Sequence, residues 1–141
     1  MKKWWPIFLA VMVGFCGCDV PQKEATVIPS PPADDVYQLI ITAELVTNDS
    51  VGEEWSKRYM CEGEVVYSGQ LWTVPHGTIK QMEIETVITE RDKCPDVGSG
   101  RLIVELQDGV MVSTVITVRE NYGRYSGNTA KWDVTCRVER V

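Results

Sequence analysis

The chain has 141 residues, with 14 Lys+Arg against 20 Asp+Glu, a net charge of −6, and 44% apolar residues. That length suits one ordinary domain, and the apolar fraction excludes a wholly disordered chain. The acidic balance argues against nucleic acid as the main partner, because neutralising phosphates needs a basic surface.

Met1-Lys2-Lys3 is followed by Trp4, Trp5 and an apolar run from Pro6 to Phe15. This is a basic n-region and an h-region of about ten residues, as in a secretory signal. At about 1.5 Å per helical residue, the run is too short to span a ~30 Å hydrocarbon core permanently. Its end reads Val13-Gly14-Phe15-Cys16-Gly17-Cys18. That stretch resembles the lipobox of bacterial lipoproteins, in which a cysteine preceded by a small residue becomes the lipidated N-terminus. Cys18, preceded by Gly17, fits better than Cys16, preceded by bulky Phe15. Phe15 and Cys16 depart from the aliphatic and small residues that the family favours there.

The resemblance implies residues 1–17 as a signal peptide and Cys18 as the site of a palmitate-type anchor. The protein would then be held to the cell membrane, facing the periplasm or the cell surface. Several acyl chains together give stable anchoring, since each buried methylene contributes about 0.8 kcal/mol. An ordinary cleaved signal and a free secreted domain is the alternative. Without Lys2 and Lys3, the remaining 12 basic and 20 acidic side chains leave a net charge of −8.

Residues 18–35 form the expected linker. Pro21, Pro29, Pro31 and Pro32 exclude a helix or a central strand. Such a composition favours an extended spacer that reaches up to roughly 50 Å from the lipid.

From residue 36 to 141 the hydrophobic period is two. Tyr37, Leu39, Ile41, Ala43 and Leu45 alternate with Gln38, Ile40, Thr42 and Glu44. Met82, Ile84, Thr86 and Ile88 repeat the pattern, as do Ala130, Trp132, Val134, Cys136 and Val138. No capped 3.6-residue period interrupts it. Strands are predicted at 36–47, 55–61, 64–68, 70–74, 79–90, 101–107, 110–119 and 129–140. Glu62-Gly63 and Asp108-Gly109 read as tight hairpin turns, and Gly98-Ser99-Gly100 and Tyr125-Ser126-Gly127 as turns. The expected fold is all-β, an antiparallel β-sandwich of seven to eight strands. Trp55, Trp72 and Trp132 are expected to pack in the core or at its edges.

Cys61, Cys94 and Cys136 remain beyond the leader. An oxidising compartment permits one disulfide among them: counting eight strands favours Cys61–Cys136, a single strand over 64–74 would instead bring Cys61 and Cys94 to the same end, and all three stay reduced in a cell lacking oxidases. Zinc lacks the ligands it needs, because there is no Cys-x-x-Cys and no second histidine.

Three polar loops, 48–54, 89–98 and 120–128, fall at one end of an eight-stranded sandwich. Asp49, Glu90, Asp92, Asp96 and Glu120 stand in them, and calcium takes six to eight such oxygen ligands. An acidic loop after a first long strand, then a strand ending in Glu90, Asp92 and Asp96, is similar to the synaptotagmin-type calcium- and phospholipid-binding sandwich. The resemblance implies a calcium site built from Asp49, Glu90, Asp92 and Asp96. Arg91, Lys93 and Arg124 depart from that pattern, and they offer another arrangement: a solvated rim in which they neutralise Glu90, Asp92 and Glu120 without an ion.

No catalytic constellation is legible. His76 lies in the turn Pro75-His76-Gly77, and no Gly-x-Ser-x-Gly nucleophile motif is present. A Cys94–His76 pair would fall at opposite ends of the sandwich. The sequence therefore points to a lipid-anchored extracytoplasmic domain that binds a protein or surface polymer without catalysis. A calcium-dependent adhesion or lipid-binding module is the alternative, and a small enzyme or enzyme inhibitor the third reading.

Overall fold

The computed structural model describes residues 29–141. The expected signal peptide, Cys18 and linker residues 19–28 lie outside the described residues. Residues 31–141 form one compact unit. Its eight strands are β1 (Asp35–Asn48), β2 (Trp55–Cys61), β3 (Glu64–Val66), β4 (Gln70–Val74), β5 (Gln81–Glu90), β6 (Asp96–Glu105), β7 (Met111–Arg119) and β8 (Thr129–Arg140). A single 3₁₀ turn, Gly123–Tyr125, precedes β8.

Two antiparallel four-stranded sheets result, ordered β4-β1-β8-β7 and β3-β2-β5-β6. The alternating side chains decide the layers. Tyr37, Leu39 and Ile41 of β1 and Ala130, Trp132, Val134, Cys136 and Val138 of β8 are buried on one inner face. Met82, Ile84 and Ile88 of β5 and Leu102 and Val104 of β6 are buried on the other. This is the expected β-sandwich. Trp132 is buried, and Trp55 and Trp72 pack against the core.

At one end, Asp35 fastens three segments. It accepts bonds from the Gly77 N–H at 3.2 Å, from His76 and from Arg140, which join the start of β1, the β4–β5 turn and the end of β8. The Gly77 N–H holds the Asp35 carboxyl below the ordinary carboxylate range, helped by His76 and Arg140 and opposed by burial.

The glycines reveal two corrections. Glu62 and Gly63, at φ 52° and 84°, form the expected tight turn between Cys61 and its partner Glu64. Asp108-Gly109 also turns the chain, but not within a hairpin, because β6 and β7 belong to different sheets. After the turn, the Gly109 N–H donates to Val138 O, so the chain joins β8 instead of β6. Gly98-Ser99-Gly100 is not a turn at all. It runs inside β6, whose pairing with β5 begins at Glu90↔Asp96. A side chain at Gly98 would place its Cβ 2.6 Å from Thr117 O, and one at Gly100 would meet Ile116 at 2.9 Å. Glycine here permits the backbones of β6 and β7 to approach across the sandwich.

Cys61 and Cys136 do not form the expected disulfide; both are buried free thiols, and Cys94 is exposed. Cys61 ends β2 beside Ile84, whereas Cys136 lies mid-strand in β8 beside Ile41, in the other sheet. One ends its strand and the other lies mid-strand, so the two are not set opposite one another at the ~4.4–6.8 Å Cα separation that a disulfide spans. Burial raises the pKa of both thiols, that of Cys136 to about 12.

Candidate functional site

The three polar loops do share one end. The Asp49 N–H donates to Thr129 O, the Arg91 N–H to Glu54 O, and the Asn121 N–H to Asp96 Oδ1. The acidic residues that they carry are treated very differently. Glu90 and Asp96 are cross-strand partners on the inner faces of β5 and β6, and both are buried. Glu120 is buried too, with its Oε1 accepting the Tyr122 N–H at 3.2 Å. Asp92 turns back on its own loop, accepting the Cys94 N–H at 2.7 Å, and Asp49 is exposed.

A solvated, internally paired rim is therefore not what forms. Among the described residues, the ion pairs are His76–Asp35, Arg101–Glu83, Arg137–Glu139 and Arg140–Asp35. None joins Arg91, Lys93 or Arg124 to Glu90, Asp92 or Glu120. Asp96 Oδ1 accepts two bonds from Asn121, at 3.1 and 2.8 Å, while Asp96 Oδ2 and Glu90 Oε2 are buried without a hydrogen-bond partner among the described residues. Burial pushes the Glu90 carboxyl above its ordinary range. The charges of Asp92 and Asp96 push it further, against the N–H groups of Glu54 and Asp92. Burial without a cation beside it disfavours the charged form of Glu90. Among the described residues, no three His, Cys, Asp or Glu side chains stand close enough to hold a metal.

A second feature lies on the flank of the sandwich. β4 pairs with β1 only over Asp35–Leu39, and β3 with β2 only over Tyr59–Cys61. Beyond these residues the chain turns at Tyr67–Gln70 and crosses from one sheet to the other, with the Gln70 N–H donating to Tyr67 O. The upper half of β1 keeps β8 on one side and that of β2 keeps β5, but among the described residues neither has a strand on its other edge. Leu45 points inward opposite Trp132 yet is 42% exposed.

Lys57 spans this opening. Its register opposite buried Ile88 puts it on the inner face. Its ammonium donates to Ala43 O at 2.8 Å and lies 4.5 Å from the centre of the Trp132 ring. Trp55 meets the same ring edge-on, 5.2 Å between centroids. Where β3 leaves β2, a groove of about 520 Å³ opens, lined by Ser56, Arg58, Tyr59, Val65, Tyr67 and Val87. That is the size of a small-ligand or peptide side-chain site.

Sequence reasoning passed over this flank, although one signal marked it. In the alternation Trp55, Lys57, Tyr59, Cys61, a lysine occupies a position where an apolar residue is due. His76, considered only as a catalytic group, is instead engaged with Asp35.

The chain matches no protein-family model, no curated protein and no solved structure.

Proposed function

We propose that this chain is an exported binding domain, anchored through Cys18 and a proline-rich linker, that holds a partner on its β2–β3 flank without catalysing a reaction. The groove beside β2 carries this reading: it combines exposed Tyr67 and Val65 with the guanidinium of Arg58. Apolar area with a few polar groups that fix orientation is the usual composition of a binding cleft. The basic leader and the lipobox-like Gly17-Cys18 support export and anchoring. Replacing Tyr67 with a photo-crosslinking phenylalanine analogue in intact cells tests binding; a discrete cross-linked species is expected, and its absence contradicts the reading. Mass spectrometry of the N-terminal peptide tests the anchor, and an unmodified Cys18 contradicts it.

A second reading, calcium-dependent adhesion, draws on the orphaned oxygens of Glu90 and Asp96. Two carboxylates would supply only part of a calcium shell, the remainder coming from backbone carbonyls and water. A rise in melting temperature at millimolar calcium is its expected mark, and an unchanged value removes it.

A further inference from the structure

We infer that the partner's contribution is an extended segment that adds as a strand to the open edge of β2, and that this segment carries two adjacent acidic residues flanked by apolar ones. The inference rests on the binding reading above and names the chemistry of its ligand.

Hydrogen-bond parity defines the edge. In the two-residue hairpin, Cys61 and Glu64 form the bonded pair nearest the turn. Cys61, Tyr59, Lys57 and Trp55 consequently turn their N–H and C=O groups towards the β3 side. Even-numbered residues turn theirs towards β5, in line with the Arg91 N–H bond to Glu54 O. β3 satisfies Tyr59 and Cys61 and then departs, so among the described residues the groups of Lys57 and Trp55 have no ladder partner. A strand continuing the line of β3 would bond to them. Strand addition of this kind takes affinity from main-chain bonds and specificity from pockets for alternate side chains.

The flanking side chains choose the occupant. Lys57 lies on the inner side of the edge and Arg58 on the outer side, opposite Val87. Consecutive residues of an added strand point to opposite sides, so two adjacent carboxylates would meet the two cations. Apolar neighbours would then cover Leu45 on the inner side and Val65 and Tyr67 on the outer. A second copy of this chain is a poor occupant, because antiparallel β2–β2 pairing centred on Lys57 sets that lysine against its own equivalent, and like charges opposite one another destabilise a sheet. An inward-pointing lysine at an open edge is a device against such self-pairing. It leaves the edge open to a strand that brings the opposite charge.

The test uses the full chain and a capped peptide in which two adjacent glutamates are flanked by valine pairs, with the dilysine analogue as control. The diglutamate peptide should bind, slow amide exchange at Trp55 and Lys57, and bind at least about tenfold more tightly than the control. In the double variant Lys57→Glu, Arg58→Glu the preference should reverse, with far-ultraviolet circular dichroism confirming the fold. Equal binding of both peptides, binding without protection at Lys57, or an edge already protected in the free chain each overturns the inference. If the peptide fails but Tyr67 still cross-links a partner, strand addition alone is lost. If both fail, the binding reading is lost with it.

Discussion

Where β6 meets β7, Gly98 and Gly100 let two backbones approach across the sandwich; where β1 faces β2, a lysine side chain bridges a gap that no backbone fills among the described residues. At Gly98 the first flank leaves no room even for a methyl group. The second leaves inward-facing Leu45 partly exposed and, among the described residues, main-chain groups without a ladder partner. The same two sheets thus meet through backbone contact on one side and through a single bridging side chain on the other. Tolerance to mutation and the capacity to bind should divide along that line.

The sharpest break comes from filling the sealed flank. Gly98→Ala drives a Cβ against the backbone oxygen of Thr117 and the side chains of Ile116 and Val118. It should cost about 3 kcal/mol, read from urea midpoints, because overpacked cores relax poorly. Gly100→Ala meets only side chains, those of Ile116 and Thr114, and no backbone. Its effect should stay within about 1 kcal/mol, since losing a glycine also restricts the unfolded chain. Equal losses at the two positions would refute the backbone-contact account of Gly98.

The loop end should respond next. Glu90→Gln removes a buried charge that has no cation beside it, and should stabilise the domain by roughly 1–3 kcal/mol at neutral pH. The pH dependence has opposite signs at the two ends. Because the Glu90 pKa is raised, its contribution favours folding at low pH and fades as pH climbs from the ordinary carboxylate value through the raised one. Because that of Asp35 is lowered, its contribution is present above the ordinary carboxylate value and is lost as pH falls through the depressed one. Melting curves of Glu90→Gln and Asp35→Asn against pH should therefore diverge from the parent in opposite directions. Parallel curves would contradict both assignments.

The smallest change in stability belongs to the open flank. Lys57→Leu should alter unfolding free energy by less than about 1 kcal/mol, since an exposed ammonium is exchanged for apolar cover of Trp132. It should nonetheless promote self-association, visible by analytical ultracentrifugation, because the edge loses its inward charge. A variant that remains monomeric would deny Lys57 its protective role.

The sandwich was legible because period-two alternation is a local property: the inward sets of β1, β5 and β8 could be read residue by residue. Strand β6 was misplaced because Gly98 and Gly100 mimic a turn, and only the approach of β7, a contact distant in sequence, explains them. The acidic loops were placed at the correct end. Their burial was not foreseeable, since nothing near Glu90 distinguishes a carboxylate under Gly52 from one in water. The open flank follows from how short β3 and β4 are, and strand ends are poorly marked in sequence. Lys57 was the one local clue.

Amide hydrogen exchange on the free chain tests the central claim most directly. Protection should alternate along β2, slow at Ser56 and Arg58 and fast at Lys57. On β1 it should persist at Ile41, whose N–H donates to Ser68 Oγ at 2.9 Å, and then lapse at Ala43. Slow exchange at both Lys57 and Ala43 would mean that the flank is already occupied, and would contradict an open edge awaiting a partner strand.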